Sequence, residues 1–365
     1  MPGSNPSSAF WRNRRVLLTG HTGFKGAWLA LWLERLGARV HGLALEPPTE
    51  PSLWDLIGRD LAVSTLGDIR DAGLVGRAVA EAAPEILIHM AAQPLVRASY
   101  ADPVGTFAAN VMGTAHVLDA ARGQPGLRSV LVVTSDKVYE NHESGRPFAE
   151  ADRLGGHDPY SNSKACVELV TQCFRDSFWP ADRGLATARA GNVIGGGDWA
   201  ADRLIPDCVR ALDRRQQVIL RYPEAVRPWQ HVLEPLGGYL LLVEALSHDP
   251  AAAPKAVNFG PDPDSFRSVS RIVDTFSAHF AGRPGWTSQN EAAAAEAKTL
   301  TLSSDLAERS LGWRPRLDLD RALEWTAGWY RAHRDGRDML DFSRAQIAAY
   351  EALAQGAPRK QGMGR

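Results

Sequence analysis

Between Arg15 and Leu45 the sequence reads strand, glycine-rich turn, helix, strand, and few folds accommodate that order. Arg15-Val16-Leu17-Leu18-Thr19-Gly20 is an apolar run of strand length. His21-Thr22-Gly23-Phe24-Lys25-Gly26 follows, and a helix over 27–36 stops at Gly37, a common C-terminal signal. Residues 39–45 form a second strand. Strands joined through a helix lie parallel, and parallel strands need helices on both faces. The alternation then continues. Strands are expected at 61–66, 85–92, 130–133 and 185–189. Helices are expected to about Ala83, over 104–122 and over 160–178.

This pattern predicts an α/β fold, a doubly wound parallel sheet of the Rossmann type with a smaller C-terminal substrate-binding lobe. The sheet domain is expected over 12–190, with an apolar helix and strand in 232–262 returning to it. Residues 191–231 and 263–354 are assigned to the lobe, and 1–11 and 355–365 to flexible tails. A formal net charge of −1 over 365 residues argues against a nucleic-acid binder. No apolar run reaches the roughly 20 residues of a membrane span. The three cysteines, Cys166, Cys173 and Cys208, lack metal-type spacing, so no metal site is expected, and they suit a reduced, cytoplasmic protein.

Gly20, Gly23 and Gly26 let the backbone turn tightly after the first strand and approach a pyrophosphate. The following helix offers unpaired N–H groups and its positive dipole end. Thr22, Phe24 and Lys25 share that loop. An acid usually ends the second strand, where it meets a ribose hydroxyl; here Leu45 stands there and Glu46 follows.

The strand 130–133 ends in Thr134-Ser135-Asp136-Lys137, at the sheet edge where such folds place their chemistry. Asp158-Pro159-Tyr160 opens a helix on which Lys164 lies one turn after Tyr160. Tyrosine must lose its proton to act as a base, and nearby positive charge favours that. Ser135 can hydrogen-bond the same substrate oxygen, and these three residues suffice to oxidise a carbinol. Asp136 and Lys137 add an acid and a base, which make elimination possible. Lys137 must be neutral to take a proton, and Asp136 protonated to release one.

The segments 20–29, 134–139, 191–199, 202–207 and 227–232 together resemble the extended short-chain dehydrogenase/reductase family. Within it they resemble the nucleotide-sugar 4,6-dehydratases, and among these the members acting on CDP-glucose. Most such dehydratases carry Asp-Glu after the hydroxyl residue; Lys137 replaces that Glu, as a mark of the subfamily. The resemblance implies NAD as cofactor, CDP-glucose as substrate and a homodimer built on the 104–122 and 160–178 helices. It implies oxidation at C4 with Tyr160, Lys164 and Ser135, proton removal at C5 by Lys137 and protonation of the leaving 6-hydroxyl by Asp136. Asp68 and Ile69 resemble the adenine contact, and Ala91, Ala92, Gln93 and Asn110 are expected beside the cofactor. Arg203 and Arg227 are expected at the nucleoside diphosphate, and Asn192 resembles the residue that meets the substrate's phosphates. Arg97 is expected to line the substrate site, and Trp199 is well placed for a base although a tryptophan is more often core.

Overall fold

The computed structural model describes residues 5–58, 62–280, 285–288 and 300–354. Its centre is a sheet of seven parallel strands. Six are β1 (Arg15–Thr19), β2 (Arg39–Ala44), β3 (Val63–Leu66), β4 (Ile86–His89), β5 (Ser129–Val133) and β6 (Gly184–Ala190). The seventh, Ala256–Phe259, pairs with β6. The spatial order is seventh, β6, β5, β4, β1, β2, β3, so it reverses between β1 and β4.

Both faces are covered, which explains the continuous apolar runs. Val16 and Leu18 face one core, with Trp28 and Trp32 of the helix Phe24–Arg35. Leu17 faces the other, with Leu87, Val130 and Val132. Successive strand residues point to opposite faces, so neither face can be polar.

The structure adds elements that the pattern did not announce. Ser8–Trp11, expected in a flexible tail, is a short helix whose Trp11 is buried and donates to Glu244 Oε1 at 2.6 Å. Trp11 is one of the largest side chains in the core, and its burial ties down the segment. The other tail, 355–365, lies outside the described residues, as does Leu61 of the expected third strand. The helix expected over 104–122 is a composite. Asp102 caps Pro103–Phe107, a π-helical turn spans Ala108–Met112, and Gly113–Arg122 is α-helical. A further helix, Val96–Ala101, precedes it.

After β6 the chain builds a lobe from three small strand pairs: Val193–Ile194 with Gln230–His231, Val226–Pro228 with Phe266–Ser268, and Val218–Leu220 with Trp286–Ser288. The last helix, Met339–Leu353, does not stay in that lobe. It packs on Phe24–Arg35, where Trp32 Nε1 donates to Glu351 Oε1 at 2.9 Å.

One buried carboxylate anchors this return. Glu234 Oε1 accepts from the backbone N–H groups of Arg316 and Leu317 at 2.9 and 2.8 Å, and Oε2 from the Tyr350 hydroxyl at 2.7 Å. Burial pushes the Glu234 carboxyl up from 4.5 to about 7, against the pull of those donors. The folded chain therefore holds this proton more tightly than the unfolded one. That stabilisation is complete below pH 4.5 and is lost as pH rises through 7. Glu234→Gln removes the titration. Urea unfolding is expected to show the native chain losing on the order of 3 kcal/mol relative to the variant between pH 5 and pH 8. An unchanged difference between the two would contradict this.

Candidate active site

The site forms where the strand order reverses. Gly20 leaves β1 with φ +78°, and a Cβ there would lie 2.8 Å from the Ala91 backbone nitrogen. Gly26 lies deeper, where a Cβ would come within 2.0 Å of the Gly20 carbonyl oxygen. Only glycine fits these two positions, and together they bring bare backbone to the start of the helix Phe24–Arg35. Across the crevice Thr19 Oγ1 accepts from the N–H groups of Met90 and Ala91 at 3.0 and 3.1 Å, which shapes the end of β4. Thr22 is used structurally, donating to the Leu45 carbonyl at 2.9 Å. Lys25 turns inward and donates to the Tyr239 hydroxyl at 2.9 Å. Burial, then the charges of Lys164 and Arg203, pull its amine down to about 7.

Ser135 follows β5 by two residues and caps a 3-10 turn, Asp136–Val138, accepting from Lys137 N at 3.2 Å. Its hydroxyl donates to Asp136 Oδ1 at 3.0 Å, and Lys137 Nζ lies 3.5 Å from the same oxygen. Asp136 is 1% exposed, and its Oδ2 has no partner among the described residues. The helix Pro159–Phe178 starts with Asp158 as cap, accepting from Ser161 N at 2.9 Å, and proline in its first position. Ser99 accepts from Tyr160 N at 3.1 Å and so holds that helix start against Val96–Ala101. Burial pushes the Tyr160 phenol up, while the Ser135 hydroxyl and then the charge of Lys137 pull it back down. The expected neighbour, Lys164, instead donates to the Val133 carbonyl at 3.2 Å. Burial lowers its amine to about 8, opposed by the charge of Glu168.

These groups share one cavity of about 1510 Å³ between the sheet and the lobe. A single small-molecule site typically occupies roughly 300–1,000 Å³, so there is room for two ligands. Every residue singled out in the sequence as a contact lines it, except Asn110 and Trp199. Asn110 stands behind the wall, in the π-helical turn. Its Oδ1 accepts from Gln93 N, and its Nδ2 donates to the Gln93 carbonyl and to Ser163 Oγ. Gln93 is itself tied to Thr106 and Leu95, so its side chain builds the loop. Trp199 packs edge-on against Tyr330 and tilted against His333, inside the lobe. An aromatic neighbour, more than a nucleobase, is what a tryptophan in an apolar lobe finds.

The remaining candidates sit at the rim or carry partners. Asp68 is held by Arg70 at 2.5 Å, which draws its carboxyl below the usual range. Ile69 is buried, and its carbonyl accepts from His116 at 3.0 Å. Arg203 pairs with Asp198 at 2.9 Å, and Arg227 is 8% exposed on its strand. Asn192 lines the cavity, its carbonyl held by Gln230 N. Arg97 pairs with Asp202 at 2.9 Å, and Arg221 lies 3.7 Å from the same oxygen. Sequence reasoning missed Ser99, Tyr239 and Arg221. Arg221 directly follows a lobe strand that reaches the cavity, but nothing local distinguished it from other surface arginines.

Comparison with known proteins agrees with this geometry. Residues 16–260 match the family described as NAD dependent epimerase/dehydratase. The chain is 47% identical over 348 residues to a CDP-glucose 4,6-dehydratase of Salmonella typhimurium, covering 93% of this chain and 97% of the relative. It is 25% identical to a dTDP-glucose 4,6-dehydratase of an Actinoplanes species, over 88% and 98% of the two chains. Among solved structures, a dTDP-glucose 4,6-dehydratase of Streptomyces venezuelae with NAD bound superposes with a TM-score of 0.75. It is 24% identical and covers 89% of this chain and 99% of its own. An epimerase of Methanothermobacter thermautotrophicus gives a TM-score of 0.78 at 23% identity, with coverages of 90% and 95%. The chain belongs to the NAD dependent epimerase/dehydratase family.

The cradle around Gly20 and Gly26 fits the family's cofactor, since a dinucleotide's pyrophosphate needs close backbone approach and free N–H groups. Gly26→Ala forces the loop apart and is expected to weaken NAD binding at least tenfold in a fluorescence titration. The unmodified chain is expected to bind NAD more tightly than NADP in the same assay; the reverse order would count against the assignment.

Proposed function

We propose that this chain acts as a CDP-glucose 4,6-dehydratase, producing CDP-4-keto-6-deoxyglucose and water. The observation that carries the proposal is the Ser135, Asp136, Lys137 cluster facing Tyr160 across one cavity, in a chain 47% identical to an enzyme of that activity. Bound NAD supplies the acceptor for the two electrons leaving C4 and gives them back at C6, so the reaction has no net redox change.

The protein's own groups handle the protons. Tyr160 takes the proton of the 4-hydroxyl, with Ser135 hydrogen-bonding the same oxygen. The positive charges of Lys164 and Arg203 favour the phenolate that this step needs. The resulting 4-ketone acidifies the C5 proton; neutral Lys137, partly exposed to the cavity, removes it and gives a proton back to C5 when the hydride is returned to C6. Asp136 protonates the departing 6-hydroxyl, and its partnerless Oδ2 leaves one carboxyl oxygen for that contact. Arg203 and Arg227 supply positive charge for the nucleoside diphosphate. An epimerase has no use for the acid and base at 136 and 137, which is why the dehydratase reading is preferred.

Incubation with NAD and CDP-glucose is expected to give the absorbance of a 4-keto sugar in base. Signal with dTDP-glucose or GDP-mannose in its place would move the substrate assignment. Lys137→Ala is expected to bind NAD normally and to lose about 100-fold or more in turnover and in solvent deuterium uptake at C5. Undiminished exchange would remove Lys137 from the role of base.

The helices Pro103–Phe107 and Pro159–Phe178 leave Val104 78% and Leu169 54% exposed, with Met112 also outward. A second copy of the chain covers this face in our reading, in a cytoplasmic homodimer where the exposed Cys173 stays reduced. Leu169→Asp is expected to sediment as a monomer under conditions where the unmodified chain sediments as a dimer. A monomeric native chain would refute the interface.

A further inference from the structure

We propose that Glu168 is a positioning residue for the reaction, one that ties the two catalytic segments together and keeps Lys164 cationic. The proposal rests on the dehydratase reading only for its kinetic arm. Glu168 follows Lys164 by one helical turn, as Lys164 follows Tyr160, so the three stand in one row on the helix Pro159–Phe178. Its side chain is 3% exposed.

The carboxylate accepts four hydrogen bonds, about the full capacity of its lone pairs. Oε1 takes the Thr134 hydroxyl at 2.5 Å and Arg189 Nε at 2.9 Å. Oε2 takes the Thr187 hydroxyl at 2.7 Å and Arg189 Nη2 at 2.7 Å. Thr134 is the residue immediately before Ser135. Its bond to Glu168 therefore spans from the helix carrying Tyr160 and Lys164 to the strand end carrying Ser135, Asp136 and Lys137. Lys164 makes a second crossing of the same gap, to the Val133 carbonyl. These two buried crossings, at 2.5 and 3.2 Å, tie the helix bearing Tyr160 to the strand end bearing Asp136.

Arg189 extends the brace from β6. Its Nη1 donates to the Tyr139 hydroxyl at 2.8 Å and to the Glu150 carbonyl at 3.0 Å, and Tyr139 donates to Asn258 Oδ1 at 2.7 Å on the seventh strand. Three adjacent strands are thus linked to one carboxylate. Charge adds a second effect. Lys164 is deeply buried, which favours its neutral form, and Glu168 is the counter-charge one turn away that opposes this. Tyr160 stands on Lys164's other side. Glu168 also faces Thr134 and Thr187, which do not titrate, and Arg189 and Arg175, which stay charged; Lys25 and His89 face Lys164 from the other walls.

The test is the titration of Lys164 itself, followed by NMR in protein labelled at lysine Cε and assigned with Lys164→Met. In Glu168→Gln the Lys164 midpoint is expected at least one pH unit lower than in the unmodified chain. Glu168→Asp, which keeps the charge but shortens the reach, is expected to leave that midpoint within half a unit while lowering kcat on CDP-glucose at least tenfold. Should Glu168→Gln fail to fold with Arg189 unbalanced, Glu168→Gln/Arg189→Gln removes both charges, and the Lys164 midpoint is expected to fall by less, since a neighbouring positive charge leaves as well. An unmoved Lys164 midpoint in the folded variant, or full turnover in Glu168→Asp, overturns the proposal. A native chain inactive on every nucleotide sugar overturns the dehydratase reading instead and leaves the NMR outcome decisive.

Discussion

Every functional group in this chain depends on the reversal of strand order between β1 and β4. All seven strands are parallel, so their carboxyl ends share one edge, and at the reversal the two connecting chains leave in opposite directions. A crevice opens there because nothing crosses it. β1 delivers Gly20 to one wall, β4 delivers Ala91 to the other, and the 2.8 Å that a Cβ would leave between them explains the glycine. One strand further, β5 delivers Ser135 to Lys137 to the same edge. The lobe closes over this edge, and the return of Met339–Leu353 onto Phe24–Arg35 ties the end of the chain to its beginning.

The cavity also concentrates positive charge in a poorly solvated place. Lys25 is drawn to about 7 and Lys164 to about 8, each mainly by burial. Such lysines are easily neutralised by solvent pH but equally easily restored by an anionic ligand. A site of this kind is tuned by what occupies it, and the charge state of the apo cavity is not that of the working one.

The sheet could be read from sequence because both of its faces are buried, which leaves long apolar runs between glycine and proline punctuation. The catalytic residues could be read because strand ends and helix starts project to a known edge. What failed to show was of another kind. Trp11 looked like part of a polar tail, since its partner Glu244 is more than two hundred residues away. Trp199 reads as core more readily than as a base platform, and its neighbours Tyr330 and His333, which make that packing, come from a distant helix. Asn110 is expected to hold a backbone network near the site, and it does so through the Gln93 backbone, while the Gln93 side chain, which lines the cavity, is spent on Thr106 and Leu95. Lys25, expected in the loop, falls in the first turn of the helix Phe24–Arg35, and local sequence cannot say that its long side chain turns toward Tyr239. In each case the deciding contact was long-range.

The π-helical turn at Ala108–Met112 has a consequence for the whole wall behind the cavity. Such a turn holds one residue more than an α-helical turn, so everything after it is rotated by about 100° relative to an uninterrupted helix. Before it, Thr106 meets Gln93; after it, Thr114 meets His89 at 3.0 Å and His116 meets the Ile69 carbonyl. The turn acts as a phase shifter between two rows of contacts that one regular helix could not make together. Rewinding the same residues as a regular α-helix would turn Thr114 and His116 away from the sheet.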